Sequence, residues 1–214
     1  IEAGLRTHDK YSPFPEEINR QLIGRLADFH FAPTEQAKNN LLKEGIVEEK
    51  IFLTGNTAID ALFMIKDKQK ENITEYENKF LKKYKIDFQN KKIILITAHR
   101  RENFGEGLKN IFSAIKEIAQ KRNNVKIIYP VHLNPNVYHL AQKMLCGISN
   151  IYLIEPLEYD EFVFLMDKSY LILTDSGGIQ EEAPSLRKPV LVMRNTTERQ
   201  EGIKAGMSKL VGTI

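Results

Sequence analysis

The chain has 214 residues, enough for one large α/β domain or for one domain and part of another. Its 31 Lys and Arg residues against 28 Asp and Glu leave a net charge of +3, which is too small to indicate a nucleic-acid-binding protein. The single cysteine, Cys146, excludes an intrachain disulfide and fits a reducing, cytoplasmic compartment, and no apolar run approaches the ~18 residues that a membrane span needs.

Residues 1–60 predict the last part of an α/β unit, not a complete domain. The pattern indicates a helix, a strand, a second helix and a second strand, over residues 15–30, 29–33, 34–46 and 51–55. Thr34 opens the second helix, where its hydroxyl can accept the N–H of Ala37 as an N-cap.

Residues 61–92 predict a linker and a charged helix. Lysine and glutamate dominate 66–92, and a weak helical stripe runs through Ile73, Tyr76, Phe80, Leu81 and Tyr84. We expect this segment to be a solvated helix that connects two domains.

Residues 93–214 predict a doubly wound α/β domain. Six runs rich in Ile, Leu and Val have the length of strands, at 92–98, 125–131, 150–154, 170–174, 189–193 and 209–213. Helical segments separate them, and the one at 107–122 has the spacing of a single buried face at Leu108, Ile111, Phe112, Ile115, Ile118 and Ala119. Near-continuous apolar strands separated by helices imply a Rossmann-like parallel sheet that is covered on both faces.

Polar and partly cationic residues follow four of these strands, at 99–103, 132–135, 175–178 and 194–199. Because ligands of an open parallel sheet bind at the carboxyl ends of its strands, we expect one binding site at this edge. His99, Arg100 and Arg101 could supply cationic donors to a diphosphate, although charged residues at strand ends are also common on plain surfaces.

The stretch Ser176-Gly177-Gly178 separates a strand from a helix. Glycine allows a tight turn and the close approach of a ligand, and the N–H groups that open the helix can bind an anion, although such a pair can also be a simple turn. Glu182, one turn into the helix, can accept hydrogen bonds from ribose hydroxyls. The histidines are too scattered for a metal site and no GxGxxG follows a strand, so we expect no metal and no nicotinamide cofactor.

Several motifs are longer and more specific than these signals. They are EAGLRT at 2–7, SPFPEEINRQLIGRLAD at 12–28, GNTAIDAL at 55–62, HRREN at 99–103, PVHLNPNV at 130–137, TDSGGIQEEAPSLRKPVLVMRNTTERQEGIKAG at 174–206 and LVGT at 210–213. Over essentially the whole chain they resemble the non-hydrolysing bacterial UDP-N-acetylglucosamine 2-epimerases. The resemblance implies two Rossmann-like domains around a cleft, the GT-B arrangement, with 1–60 ending the N-terminal domain and 93–214 forming the UDP-binding C-terminal domain.

The resemblance also implies a reaction, the interconversion of UDP-GlcNAc and UDP-ManNAc for cell-surface polysaccharide precursors. UDP is eliminated to give 2-acetamidoglucal and is then added back, which requires carboxyl groups as acid and base and donors for the departing diphosphate. No cofactor, nucleic acid or membrane is implied, and the full-length protein is expected to be a homodimer.

Residue roles follow from the matching motifs. Glu2 and Glu16 are implied as catalytic carboxylates, although a first-turn glutamate such as Glu16 is also favoured by the helix dipole alone. Arg100 and His132 match positions that touch a second, regulatory UDP-GlcNAc in several bacterial members. UDP binding is implied for His99, which is also implied in catalysis, and for Ser176, Gly177, Gly178 and Glu182.

The third catalytic carboxylate of the family, an aspartate, lies upstream of Ile1, so the 214-residue chain by itself is expected to be nearly inactive. Three other interpretations stay open. A GT-B glycosyltransferase would share the Gly-Gly turn and the ribose-binding glutamate, a hydrolysing epimerase would release free sugar, and a non-catalytic module would only bind the nucleotide sugar.

Overall fold

A computed structural model of the protein describes residues 2–213. They form two compact units. The first contains the described residues up to Asp60 together with Thr196–Glu201, and the second contains Ala61–Asn195 and the chain from Gly202 onward. None of the helices within 2–213 is both long and apolar enough to cross a membrane.

The first unit combines two parallel strands with two helices. Its elements are α1 (Glu16–Leu26), β1 (His30–Ala32), α2 (Glu35–Lys43), a short 3-10 helix (Glu48–Lys50) and β2 (Ile51–Leu53). β1 and β2 pair in parallel, with His30 opposite Ile51, and Glu2 forms a further parallel bridge to His30. The predicted cap of α2 is confirmed, since Oγ1 of Thr34 accepts the N–H of Ala37 at 3.1 Å.

The second unit alternates strands with helices, and two of its boundaries with the first unit fall within the helices Thr57–Gln69 and Gln200–Lys204. Its elements are α3 (Thr57–Gln69), α4 (Ile73–Tyr84), β3 (Lys92–Thr97), a short 3-10 helix (Arg101–Asn103), α5 (Glu106–Lys121), β4 (Val125–Pro130), α6 (Pro135–Leu145), β5 (Ile151–Ile154), α7 (Tyr159–Lys168), β6 (Leu171–Thr174), α8 (Ile179–Ser185), β7 (Val190–Val192), α9 (Gln200–Lys204) and β8 (Ser208–Leu210). All six predicted strands are present, with ends that differ by at most three residues.

The six strands form one parallel sheet in the order β5-β4-β3-β6-β7-β8. Successive residues of β3 point to opposite faces: Ile94 and Ile96 join a core cluster with α5, whereas Ile93 and Leu95 join a second cluster with α7. A sheet that is buried on both faces explains why its strands read as continuous apolar runs. The predicted α/β, doubly wound, Rossmann-like class is therefore confirmed.

Residues 61–92, expected as a linker and a solvated helix, contribute most of α3 and all of α4 to the second unit. Leu62 and Phe80 are fully buried, and the ring of Phe80 lies 5.4 Å from that of Phe88 and 5.9 Å from that of Phe164. In α4, lysines and glutamates lie between the apolar residues, which made the buried face hard to recognise in the sequence. Phe80 nevertheless anchors α4 to the core, together with Tyr76, whose ring stacks on that of Phe164 at 5.0 Å.

The sheet order defines a switch point between β3 and β6. From β3 the chain proceeds outward through β4 and β5, and after β6 it proceeds the other way through β7 and β8. The loops at the carboxyl ends of β3 and β6 therefore diverge, and ligands of doubly wound sheets bind in the crevice between such loops. This places His99 and Ser176, which follow the two strands, at the same crevice.

Candidate functional site

A buried carboxylate organises the crevice between β3 and β6. Asp175 directly follows β6, and its side chain is fully buried. It accepts the N–H of His99 at 2.9 Å, the N–H of Arg100 at 2.9 Å and the side-chain amide of Asn103 at 3.0 Å. All three donors belong to the loop after β3, so one carboxylate from β6 fixes the conformation of that loop.

The same loop is also bound to the segment that follows β7. Nδ2 of Asn103 donates to the carbonyl of Met193 at 3.2 Å, and Nε of Arg194 donates to Glu102 at 2.7 Å. Arg194 is buried, and a buried guanidinium is stable only when anions or acceptors compensate its charge. The loops after β3, β6 and β7 therefore form one hydrogen-bonded network.

His99 lies half-buried between an aromatic partner and an anion. Its ring stacks on the exposed ring of His132 with centroids 5.2 Å apart, and its Nδ1 is 3.6 Å from Asp175, which is too long for a hydrogen bond. Burial lowers the pKa of His99, the charge of Asp175 raises it, and His132 and Arg100 lower it further, with a net shift downward. The downward shift favours the neutral imidazole of His99 over the cationic donor that the sequence suggested.

In the Gly-Gly turn, open space surrounds the position that a side chain of Gly178 would occupy. Gly178 has φ −62° and ψ −42°, the ordinary helical region, and a Cβ built on it would meet no atom within 4 Å. The tight-turn explanation for Gly178 is therefore wrong, because any residue could adopt this backbone. The N–H of Ser176 donates to Thr174 at 2.9 Å, which leaves the N–H groups that open α8 as the natural anion donors of the turn.

Glu182 lies half-buried on α8 and has a partner from α7. The phenol of Tyr159 donates to it at 2.9 Å. Burial raises the pKa of Glu182, the hydrogen bond from Tyr159 lowers it, and the neighbouring Glu181 raises it, so that the net shift is upward.

Glu2 is a buried member of an ion triad in the first unit. Its carboxylate accepts the N–H of Gly4 at 2.8 Å and both terminal nitrogens of Arg6, at 3.2 and 3.1 Å. Arg6 also donates to Glu44 at 2.7 and 2.9 Å. Gly4 has φ +74°, and a Cβ there would lie 2.3 Å from the carbonyl of Ala37, so EAGLRT requires glycine at this position.

Glu16 is the half-buried first residue of α1, and its neighbour Glu17 has a separate structural role. Glu17 is fully buried and accepts the N–H groups of Thr7 and His8, each at 3.0 Å. The loop after EAGLRT is thereby bound to the first turn of α1, so Glu2 and Glu16 are held within one local substructure.

The structure brings some of the expected site residues into direct contact. In the second unit His99 contacts His132, and both His99 and Arg100 bind Asp175 through their N–H groups, while Glu182 is held by Tyr159. Glu2 and Glu16 belong to the first unit. His132 also accepts the N–H of Asn134 at 3.0 Å, and the side chain of Asn134 caps α6 by accepting the N–H of Asn136 at 2.9 Å.

The sequence patterns assigned no individual role to four residues that shape these sites, namely Asp175, Asn103, Tyr159 and Glu17. Asp175 carries the clearest signal, because it directly follows an apolar strand, and an aspartate that is buried at such a position requires hydrogen-bond donors. The other three have no comparable local signal. Within residues 2–213, no group of three or more His, Cys, Asp or Glu side chains could hold a metal ion.

Comparison with known proteins gives consistent results. The family described as UDP-N-acetylglucosamine 2-epimerase matches residues 1–214. The chain is 57% identical over 213 residues to the UDP-N-acetylglucosamine 2-epimerase of Yersinia pestis, covering 100% of this chain and 56% of that protein. It thus spans little more than half the length of this relative.

Solved structures show the same similarity. The crystal structure of UDP-GlcNAc 2-epimerase from Neisseria meningitidis bound to UDP-GlcNAc matches with a TM-score of 0.94 and 55% identity, over 100% of this chain and 57% of that one. The enzyme from Methanocaldococcus jannaschii, in complex with UDP-GlcNAc and UDP, matches with a TM-score of 0.83 and 41% identity, over 100% and 57%. The chain belongs to the UDP-N-acetylglucosamine 2-epimerase family.

Proposed function

We propose that the full-length protein is a non-hydrolysing epimerase that interconverts UDP-GlcNAc and UDP-ManNAc. The observation that carries this proposal is the similarity of the whole chain, in sequence and in fold, to a relative that was crystallised with UDP-GlcNAc. The position of the Gly-Gly turn at the switch point of the sheet supports it independently, because that crevice is where doubly wound folds bind nucleotides.

In this proposal UDP binds at the carboxyl ends of β3 and β6. The N–H groups that follow Ser176, Gly177 and Gly178 bind the diphosphate, and the open space above Gly178 lets it reach the backbone. His99 contributes a donor from the opposite loop. Glu182 accepts hydrogen bonds from the ribose hydroxyls.

We also propose that Arg100 and His132 contribute to a second, regulatory site for UDP-GlcNAc. His132 is exposed and stacks on His99, so a ligand that contacts His132 would act on a residue of the proposed UDP site. This adjacency offers a direct physical route for coupling between the two sites.

The proposed chemistry is an elimination followed by an addition. A carboxylate takes the proton from C2 of the sugar, the C1–O bond breaks with its electron pair leaving on UDP, and a C1–C2 double bond forms in 2-acetamidoglucal. A proton is then delivered to the opposite face of C2, and a phosphate oxygen of UDP re-forms the bond to C1. Donors aimed at the diphosphate lower the barrier because they stabilise the charge that develops on the leaving group.

Glu2 and Glu16 are the proposed acid and base of these steps. Glu2 has Arg6 as its counter-ion within the first unit, and Glu16 lies in the first turn of α1, where a helix dipole favours a carboxylate. The loop that Glu17 holds to α1 connects the two residues. Their mutual position is thus set by buried contacts and not by surface side chains.

The experiment that tests this function uses the full-length protein in D2O with UDP-GlcNAc, followed by proton NMR. We expect UDP-ManNAc to form and solvent deuterium to appear at C2 of both sugar nucleotides. Glu16→Gln should abolish exchange, whereas Glu49→Gln, at an exposed position, should leave it unchanged. Release of free N-acetylmannosamine with UDP would instead identify a hydrolysing enzyme, and sugar transfer without exchange would identify a glycosyltransferase.

We further propose that the protein acts in the cytoplasm as a homodimer that supplies precursors of cell-surface polysaccharides. The exposed free thiol of Cys146 is compatible with a reducing compartment. Light scattering on the full-length protein would measure its subunit number. Fractionation of the source cells would show whether the protein accompanies soluble cytoplasmic markers.

A further inference from the structure

Asp175 lies at the centre of the proposed UDP site but is not positioned to bind a ligand itself. Its side chain is fully buried, and His99, Arg100 and Asn103 already donate to its carboxylate. Any effect of Asp175 on a ligand therefore passes through the residues that it holds.

The hydrogen bonds of Asp175 determine where His99 lies. Two consecutive backbone N–H groups, those of His99 and Arg100, converge on this carboxylate from the loop after β3, 76 and 75 residues earlier in the chain. Asparagine is the closest isostere, but it offers one acceptor oxygen and an amide group that only donates. Asp175→Asn would therefore leave at least one of these donors without a good acceptor and would displace the loop.

Within the described chain, three ionisable groups act on the charge of His99: Asp175, His132 and Arg100. Of these three, only Asp175 is negative. Burial lowers the pKa of His99, and both His132 and Arg100 lower it further, whereas Asp175 opposes all three. A diphosphate bound beside the ring of His99 would add negative charge there and would raise its pKa, as Asp175 does. Binding would therefore be coupled to proton uptake by His99.

We propose that Asp175 is a positioning residue that holds His99 where a diphosphate meets it and supplies the charge that lets this histidine take up a proton when the diphosphate binds. The inference rests on the proposed function, because it takes the diphosphate of UDP as the ligand of His99. It concerns a residue whose carboxylate is fully buried and bonded to the loop after β3.

The test is the Asp175→Asn variant of the full-length protein, with UDP affinity measured by calorimetry between about pH 5.5 and 8. We expect affinity to fall about ten- to a hundredfold at neutral pH, the range that the loss of a hydrogen-bonding partner for a buried group produces. UDP affinity should increase as the pH falls, and in the variant this increase should occur at a lower pH than in the unmodified protein. NMR titration of the His99 ring without UDP should show a lower pKa in the variant, which a purely structural role would not produce.

Asp67→Asn is the matched control, because Asp67 is exposed on α3 and its carboxylate pairs with the nearby, exposed Lys70. It should change neither affinity nor pH dependence. A folded Asp175→Asn variant with the affinity and pH profile of the unmodified protein would overturn the inference.

Two further measurements distinguish failure of the inference from misfolding of the variant and from failure of the proposed function. If Asp175→Asn does not fold, Asn103→Ala removes one donor to Asp175 and should weaken UDP binding about threefold or more; unchanged binding in that variant would overturn the inference. If the unmodified full-length protein does not bind UDP at all, the proposed function fails. The NMR titration then still decides whether Asp175 controls His99.

Discussion

Tyr159 and Glu182 join the start of α7 to α8 through a hydrogen bond of 2.9 Å from the phenol to the carboxylate. Burial raises the pKa of Tyr159 to about 12, with Glu182 contributing, so the phenol stays protonated and acts as a donor at every physiological pH. A donor of this kind favours the ionised form of Glu182 against the opposing effect of burial. An ionised carboxylate is the better acceptor for a ribose diol.

Tyr159→Phe should therefore raise KM for UDP-GlcNAc with little change in kcat. Loss of one hydrogen bond of this type costs about 0.5–1.5 kcal/mol, which corresponds to an increase of roughly two- to tenfold. Steady-state kinetics of the full-length protein would measure it. Tyr170→Phe is the control, since Tyr170 is exposed and lies against Lys92, and an equal effect of both substitutions would contradict a specific role for Tyr159.

Gly178→Ala should separate folding from binding. The backbone of Gly178 is helical and open space surrounds the position, so alanine should leave the free energy of unfolding unchanged or slightly higher. A methyl group pressed against a bound diphosphate costs about 1–3 kcal/mol, so UDP affinity should fall about tenfold. Calorimetry of UDP binding and thermal unfolding would measure the two quantities on one sample.

Gly147→Ala should have the opposite effects to Gly178→Ala on stability and on UDP affinity. Gly147 has φ +82°, a left-handed conformation that costs an L-residue about 1–2 kcal/mol, and it lies after α6. This variant should lower the melting temperature and leave UDP affinity unchanged. If Gly178→Ala destabilised the protein as much as Gly147→Ala, the assignment of Gly178 to the ligand would be wrong.

Arg6→Leu should destabilise the first unit strongly. Arg6 is buried between Glu2 and Glu44, and removal of one member of a buried ion pair leaves uncompensated charge at a cost of about 3–5 kcal/mol. Urea unfolding of the full-length protein would measure the loss. The solvent-accessible pair Lys38–Glu48 is the comparison, because Lys38→Leu should cost much less than Arg6→Leu.

Phe80→Ala should show that α4 is part of the core. Phe80 is fully buried against Phe88 and Phe164, and truncation of such a side chain costs about 3–5 kcal/mol. The adjacent Leu81 is 47% exposed, so Leu81→Ala should change the free energy of unfolding by only about 0.5 kcal/mol. If the two variants lost similar amounts of unfolding free energy, α4 would be a solvated helix, as the sequence suggested.

The strands of the second unit could be predicted because their information is local. A run such as Ile93–Ile96 is apolar at every position since β3 is buried on both faces, and this composition is visible without any knowledge of its neighbours. The helix face of α5 and the cap at Thr34 are local for the same reason. The motifs that indicate the family, from EAGLRT to LVGT, are likewise contiguous in the chain.

The sequence by itself therefore determined the fold class, the positions of the strands and the family of this protein. Only the tertiary structure decided that Asp175 binds the loop of His99, 76 residues away, that Glu2 is enclosed by Arg6 and Glu44, and that Phe80 is buried. The physical reason is that a side chain's partners depend on which strands become neighbours. Sheet order is a property of the folded chain as a whole and not of any single segment.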